Sequence, residues 1–192
     1  ATMRIIAGRL KGRQLFLPPD LSIRPTIGKL RECYFDIVQD RIGGARFLDL
    51  CAGSGSVGIE AFSRGAAVVV FVELSERSLK YLRKNLAHCG VDAGVRVIRG
   101  DILVQIHRLA RDGEQFDLIY FDPPYFEGLY DKALAAVAGS SLLAPGGLMT
   151  VNHFKKVTVP AASGGLECVR TVRHGDSSLS FYVRQHPPDA GS

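Results

Sequence analysis

The sequence predicts an α/β fold: a mostly parallel seven-stranded sheet covered by helices on both faces, with an antiparallel edge strand and a small N-terminal β-hairpin extension. Three observations predict it. From Ala45 onward, short apolar runs alternate with stretches of helical periodicity. The runs are almost continuously apolar, as strands buried on both faces must be, and Val68 to Val72 is the clearest of them. After Pro160 the alternation stops, and two strand-like stretches follow with Gly175-Asp176 between them, a tight antiparallel turn.

The elements can be taken in chain order. Met3–Ala7 and Arg13–Leu17 read as the hairpin strands around Gly8–Gly12. Pro18-Pro19 and Arg24-Pro25 make an extended connector. Thr26 reads as the N-cap of a helix in which Leu30, Tyr34, Ile37 and Val38 recur at helical spacing, and Gly43-Gly44 stop it. Strands are then expected at Arg46–Leu50, Ala67–Glu73, Val95–Arg99, Phe116–Phe121 and Leu148–Asn152. The helices between them are Ser56–Arg64, Ser75–Cys89, Ile102–Arg111 and Leu129–Ala138. Leu166–His174 and Leu179–Gln185 close the sheet. The chain so divides into a basic hairpin extension (1–25), a main domain (26–186) and a disordered tail (187–192).

Composition narrows the function classes. Of 192 residues, 46% are hydrophobic and 22% charged, which suits a globular chain and excludes a disordered one. No apolar run reaches the length of a membrane span, and the basic, Gly- and Pro-broken first 30 residues are unlike a secretory leader. The four cysteines form no Cys-x-x-Cys pair, so neither a zinc site nor a disulfide framework is expected, and a reducing cytoplasm is. His88, His107, His153, His174 and His186 are too dispersed to suggest a metal site. A monomer is expected, because no apolar stripe lies outside the predicted core.

Charge is unevenly placed. Residues 1–31 carry seven basic groups against Asp20 alone, which leaves 17 basic and 18 acidic groups of the chain's 24 and 19 for the rest. A near-neutral body with a basic head points to a polyanionic partner at the N-terminal end, with a merely solubilising surface as the alternative.

In a sheet of this kind ligands bind where the strand order reverses, at the carboxyl ends of the strands, so four strand ends matter. The first runs Asp49-Leu50-Cys51-Ala52-Gly53-Ser54-Gly55-Ser56-Val57-Gly58. Its glycines fit G-x-G-x-x-G between strand and helix, a spacing that serves NAD, FAD, another nucleoside or a tight turn. Asp49 would oppose a pyrophosphate and would suit a cationic ligand bearing an ammonium and a sulfonium; its alternative role is to accept hydrogen bonds from loop amides. Glu73 ends the second strand, 20 residues after Gly53, where an acid takes both ribose hydroxyls or caps the next helix. Asp101 follows the third strand and can accept from an adenine amine, cap a helix, or do both.

The fourth strand runs into Asp122-Pro123-Pro124-Tyr125. Two prolines fix the backbone and remove two donors, leaving outward carbonyl acceptors. Asp122 adds an acceptor and Tyr125 a flat ring. Together they suit an exocyclic amine on a planar base; the alternative is a rigid turn with a core tyrosine.

That tetrapeptide and the Asp49–Gly58 loop resemble the amino-methyltransferases that use S-adenosylmethionine. Arg4-Ile5-Ile6-Ala7-Gly8, Gly12-Arg13, Arg24-Pro25-Thr26, Arg31-Glu32, Ala52-Gly53-Ser54-Gly55, Gly58-Ile59-Glu60-Ala61, Ser63-Arg64-Gly65-Ala66 and Asn85-Leu86 resemble, in order and spacing, the RsmD family. Its members are bacterial enzymes that methylate the exocyclic N2 of a guanine in 16S ribosomal RNA. The resemblance covers nearly the whole chain and implies a Rossmann-like methyltransferase fold. It implies cofactor contacts from Asp49, Ala52, Gly53, Ser54, Gly55, Glu73, Leu74, Asp101 and Ile102, with Thr26 and Arg31 closing the methionine end. It implies catalysis at Asp122, Pro123, Pro124 and Tyr125 and phosphate contacts from Arg4, Arg9, Lys11, Arg13 and Arg24 on an assembled or nearly assembled small subunit. Cys51 stands where the family usually has an aromatic, and Gly28-Lys29 where it has a polar and a larger residue.

Other readings share the residues. An amino-methyltransferase could act on adenine N6 in DNA or RNA, or on protein glutamine. A DNA enzyme usually carries an added recognition domain, and the glutamine enzymes favour Asn at position 122. A non-catalytic nucleotide-binding assembly protein has no use for paired acceptors and a stacking ring. An NAD-dependent dehydrogenase is disfavoured by Asp49 and by the lack of a proton-relay residue pair.

Overall fold

The computed structural model describes residues 2–19, 25–124 and 128–185, with residues 25–27 described in backbone only. The hairpin consists of β1 (Thr2–Arg4) and β2 (Gln14–Phe16), paired antiparallel with Met3 opposite Leu15. It is shorter than the apolar pattern suggests, and Glu60 supplies the reason. The Glu60 carboxylate accepts the Ile6 amide at 3.0 and 3.1 Å and the Ala7 amide at 3.3 Å, so these donors leave the ladder.

Other side chains complete the docking. The Ser63 hydroxyl donates to the Ala7 carbonyl at 2.6 Å and accepts the Leu10 amide at 3.0 Å. Asn85 accepts the Phe16 amide at 2.7 Å and donates to the carbonyls of Phe16 and Ser54, each at 2.9 Å. Ile5 and Leu15 pack into the same core as the helices. The hairpin is thereby latched by polar groups that water cannot easily replace. Glu60 is fully buried and also pairs with Arg64 at 3.2 Å. Glu60→Ala strands two amides and one guanidinium, so urea unfolding should show a loss of about 3 kcal/mol. A loss near zero would mean that the latch contributes nothing.

The main sheet has the order β5-β4-β3-β6-β7-β10-β9-β8. Its parallel part comprises β3 (Arg46–Leu50), β4 (Val68–Glu73), β5 (Val95–Arg99), β6 (Phe116–Phe121) and β7 (Leu143–Phe154). The order reverses between β3 and β6, the switch point where such sheets open a crevice. β8 (Ala162–Ser163), β9 (Leu166–His174) and β10 (Ser177–Arg184) follow as an antiparallel edge. The sheet has eight strands rather than seven, because the two-residue β8 is too short to leave a sequence pattern. β7 also outruns its apolar stretch: Leu143 pairs with Phe116 across an irregularity, and Phe154 pairs with Ser177 of β10.

Helices α1 (Pro25–Ile42), α2 (Ser56–Ser63) and α3 (Glu76–His88) share one core with the hairpin, built around Tyr34, Phe47, Phe71 and Leu82. Helices α4 (Ile102–Arg111) and α5 (Leu129–Ala138) cover the other face around Ile106, Phe121 and Leu134. α1 begins at Pro25, so Thr26 lies inside its first turn and is not the cap; proline suits that first position because its φ is already helical and no amide is needed there. No helix among the described residues is long and apolar enough to cross a membrane.

Candidate functional site

A cavity of about 760 Å³ opens along the carboxyl edge at the switch point, within the size range of small-ligand sites. Asp49, Glu73, Asp101 and Asp122 all line it, so the four strand-end acids converge on one space. Ala52, Gly53, Ser54, Leu74, Ile102 and Pro124 also line it.

Each acid is fixed by its own strand end. Asp49 is buried in β3, and its Oδ2 accepts the Gly58 amide at the start of α2 at 3.0 Å. It therefore accepts an amide from the first turn of α2 while lining the cavity. Burial pushes its carboxyl up to about 8; the Gly58 amide works against this and the charges of Asp122 and Glu73 add to it. Glu73 ends β4, accepting the Gly53 amide on Oε1 at 2.8 Å and the amides of Leu74 and Ser75 on Oε2 at 2.7 and 2.9 Å. The cap of α3 is Ser75, whose hydroxyl accepts the Ser78 amide. Asp101 caps α4, with Oδ1 accepting from Leu103 at 2.9 Å and Val104 at 3.2 Å.

The two loop glycines do different jobs. Gly53 has φ +59°, and a Cβ there would meet nothing within 4 Å, so the backbone lies open. Gly55 is the N-cap of α2 with a left-handed φ of +86°, which favours glycine, and a Cβ there would come within 2.3 Å of the Leu82 side chain. It does not line the cavity, contrary to the sequence expectation that both glycines face the ligand.

Asp122 follows β6 at the cavity mouth. Its side chain is exposed there, yet the surrounding walls desolvate its carboxyl and push it up to about 7, against a hydrogen bond from Asn152. Asn152 is a residue the sequence reading passed over. The parallel register sets Phe121 beside Val151, which brings Asn152 of β7 next to Asp122. Asn152 also donates to the Tyr120 hydroxyl at 3.4 Å. The signal was present as a polar residue closing an apolar strand, but only the register gives it a partner. Pro123 is buried and Pro124 exposed. Tyr125, Arg24 and the Thr26 side chain lie outside the described residues.

Arg31 departs from expectation. It is buried behind the cavity, donating to the Arg4 carbonyl at 2.6 Å and to the Ser56 carbonyl at 3.5 Å. Burial lowers its pKa, and its Nε has no hydrogen-bond partner among the described residues. It ties the hairpin to the start of α2 and does not line the cavity. The hairpin itself contributes Met3 and Leu17 to the wall, which no motif announced. Arg4, Arg9, Lys11 and Arg13 are exposed on the hairpin, with the Arg9 guanidinium 4.0 Å above the Phe62 ring. His153 is a core residue held by the Phe154 carbonyl at 3.0 Å and the Ser180 hydroxyl at 2.8 Å. Among the described residues, no group of three or more His, Cys, Asp or Glu is arranged to hold a metal ion.

Comparison with known proteins agrees with this architecture. Residues 3–183 match the family described as Conserved hypothetical protein 95. The ribosomal RNA small subunit methyltransferase D of Escherichia coli K12 is 30% identical over 184 residues, covering 95% of this chain and 90% of that protein. The Bacillus subtilis protein YlbH, provisionally named an rRNA methyltransferase, is 32% identical over 183 residues, covering 95% of this chain and all (100%) of its own length. A solved structure from Escherichia coli, titled provisionally as the methyltransferase yhhF, superposes with a TM-score of 0.82 at 30% identity, covering 97% of this chain and 100% of that one. The family match over residues 3–183 and relatives alike along their lengths make this chain a member of the RsmD family of methyltransferases.

Proposed function

We propose that the chain transfers a methyl group from S-adenosylmethionine to the exocyclic N2 of a guanine in 16S ribosomal RNA of the small subunit, acting in the cytoplasm as a monomer. The observation that carries this reading is the single cavity joining Asp49, Gly53, Glu73 and Asp101 to Asp122 and Pro124.

The residues present fit the cofactor. The open backbone at Gly53 leaves room for its methionine part, and Asp49 offers a carboxylate to an ammonium. A carboxyl raised to about 8 returns to its charged form once a cation lies beside it. Glu73 suits the ribose hydroxyls, and Leu74 and Ile102 give apolar walls for the adenine near Asp101. When bound, S-adenosylmethionine supplies an electrophilic methyl on a sulfonium.

The remaining work falls to the chain. A guanine amine is a poor nucleophile because its lone pair is delocalised into the ring. Asp122 and the Pro123 carbonyl accept its two N–H bonds and favour a pyramidal nitrogen aimed at the methyl, so the rate comes largely from positioning. Tyr125 stacks on the base. The guanine leaves its stack to enter, at a cost of a few kcal/mol that is smallest in a loop. Arg4, Arg9, Lys11, Arg13 and Arg24 grip phosphates and set register without reading sequence.

The test is transfer of labelled methyl to small subunits lacking base methylation, to naked 16S RNA and to plasmid DNA. Label is expected chiefly in subunits, and the Arg9→Glu/Lys11→Glu double variant should lower that transfer at least about tenfold with cofactor binding unchanged. Label in DNA alone would overturn the substrate, and an unchanged rate in the variant would remove the head from RNA binding.

A further inference from the structure

A second cavity, of about 440 Å³, is lined by Phe154, Lys155, Lys156, Val157 and Asp176, and it shares no lining residue with the first. It lies where β7 leaves the sheet, on the same carboxyl edge as Asp122. Phe154 is among the few large apolar side chains that the described residues expose, at 50%. Its backbone is nevertheless firmly held. Its carbonyl accepts from the Val157 amide at 2.9 Å and meets the His153 ring at 3.0 Å, while Lys155 donates its amide to the Asp176 carbonyl at 2.8 Å. Phe154 also pairs in register with Ser177. A fixed backbone under an exposed ring is the arrangement of a stacking platform, since little freedom remains to be lost on binding.

Position and charge say what the ring meets. Asn152 and Phe154 are two residues apart in one strand, so they share a face, about 7 Å apart along it. Asn152 is the partner of Asp122, so Phe154 stands one or two nucleotide steps from the amine-holding end of β6. The cavity's charged groups are Lys155, Lys156 and Asp176. Asp176 pairs with Lys155 at 3.2 Å, and Lys156 is exposed. Arg173 and His174 follow on the adjoining β9, opposite Ser178 and Ser177. The surroundings are therefore net basic around an aromatic ring, which suits the bases and phosphates of RNA.

We propose that Phe154 and Lys156 form a second RNA contact, in which the ring stacks a base one or two positions from the target nucleotide and the ammonium meets the adjoining phosphate. This rests on the reading of the chain as an RNA methyltransferase. With the hairpin, it brackets the target from two sides: one grips phosphates, the other holds the unstacked neighbour that makes room for the flipped guanine.

The test uses the full chain and three variants, Phe154→Ala, Phe154→Tyr and Lys156→Glu. The parent must first label RNA in subunits; if it labels none, the methyltransferase reading fails and this inference falls with it. Given that activity, Phe154→Ala should raise KM for subunits roughly tenfold and weaken binding of a single-stranded RNA oligomer by a similar factor. Cofactor affinity should not move, and Phe154→Tyr should restore both. Lys156→Glu should weaken oligomer binding and flatten its salt dependence. The proposal is overturned if Phe154→Ala leaves both readouts at parental values. It is also overturned if subunit KM rises while oligomer binding stays intact, because the ring would then contact a ribosomal protein.

Discussion

Asp122→Ala is expected to slow methyl transfer about 10²–10³-fold while cofactor affinity stays within about twofold of the parent. Asp122 follows β6, on the other side of β3 from β4, and lines the same cavity as the acids of β3 and β4 that would hold the cofactor. In the proposed reaction, removing it takes away an acceptor for the guanine amine, which matters most as the nitrogen becomes pyramidal. The pH dependence carries the same information. Its carboxyl is raised to about 7, so it is protonated below that pH and has lost an acceptor. The rate with saturating cofactor should therefore rise with pH through about 7. The hydrogen bond from Asn152 lowers that value, so Asn152→Ala should move the rising limb to higher pH. A flat profile across this range, or loss of cofactor binding in Asp122→Ala, would move Asp122 out of the transfer step.

Asp49→Asn should weaken cofactor binding roughly 10- to 100-fold by removing a charge-assisted contact. It should also stabilise the cofactor-free protein. The sign follows from proton linkage. Burial raises the Asp49 carboxyl to about 8 in the folded chain, against its ordinary value of 3.8, so between those values the native state binds a proton that the unfolded chain does not. Stability contributed by this group is therefore present below the unfolded value and lost as pH rises towards about 8. Asparagine can still accept the Gly58 amide, which Asp49 now takes at 3.0 Å, and escapes that loss. The melting temperature of Asp49→Asn should exceed the parent's at neutral pH, with the gap widening up to about pH 8 and then levelling. Equal cofactor affinity in parent and variant would reduce Asp49 to a structural acceptor for the loop.

These predictions concern positions legible in the sequence, and the reason is physical. A parallel sheet buried on both faces must write its strands as apolar runs, so a charged residue at the end of a run marks the rim. Glu73, Asp101 and Asp122 are legible that way, Asp49 instead as an acid inside the run that leads into the glycine loop, and all four line one cavity. What stayed hidden depends on contacts remote in sequence. Glu60 reads as an ordinary helical acid, yet it is fully buried and takes the amides that shorten the hairpin. Arg31 belongs to a motif, but its guanidinium turns to the carbonyls of Arg4 and Ser56. Gly55 shares a pattern and a positive φ with Gly53, and only the fold separates them, since Gly55 caps α2 against Leu82 while Gly53 lies open. Asn152 becomes the partner of Asp122 through the register of β6 with β7, which no local pattern encodes.

In the proposed reaction this cavity aims a guanine amine at the methyl group. This is tested most directly by digesting RNA from subunits that the parent enzyme has labelled and identifying the modified nucleoside. N2-methylguanosine is expected. N6-methyladenosine, or label found in ribosomal protein, would contradict it.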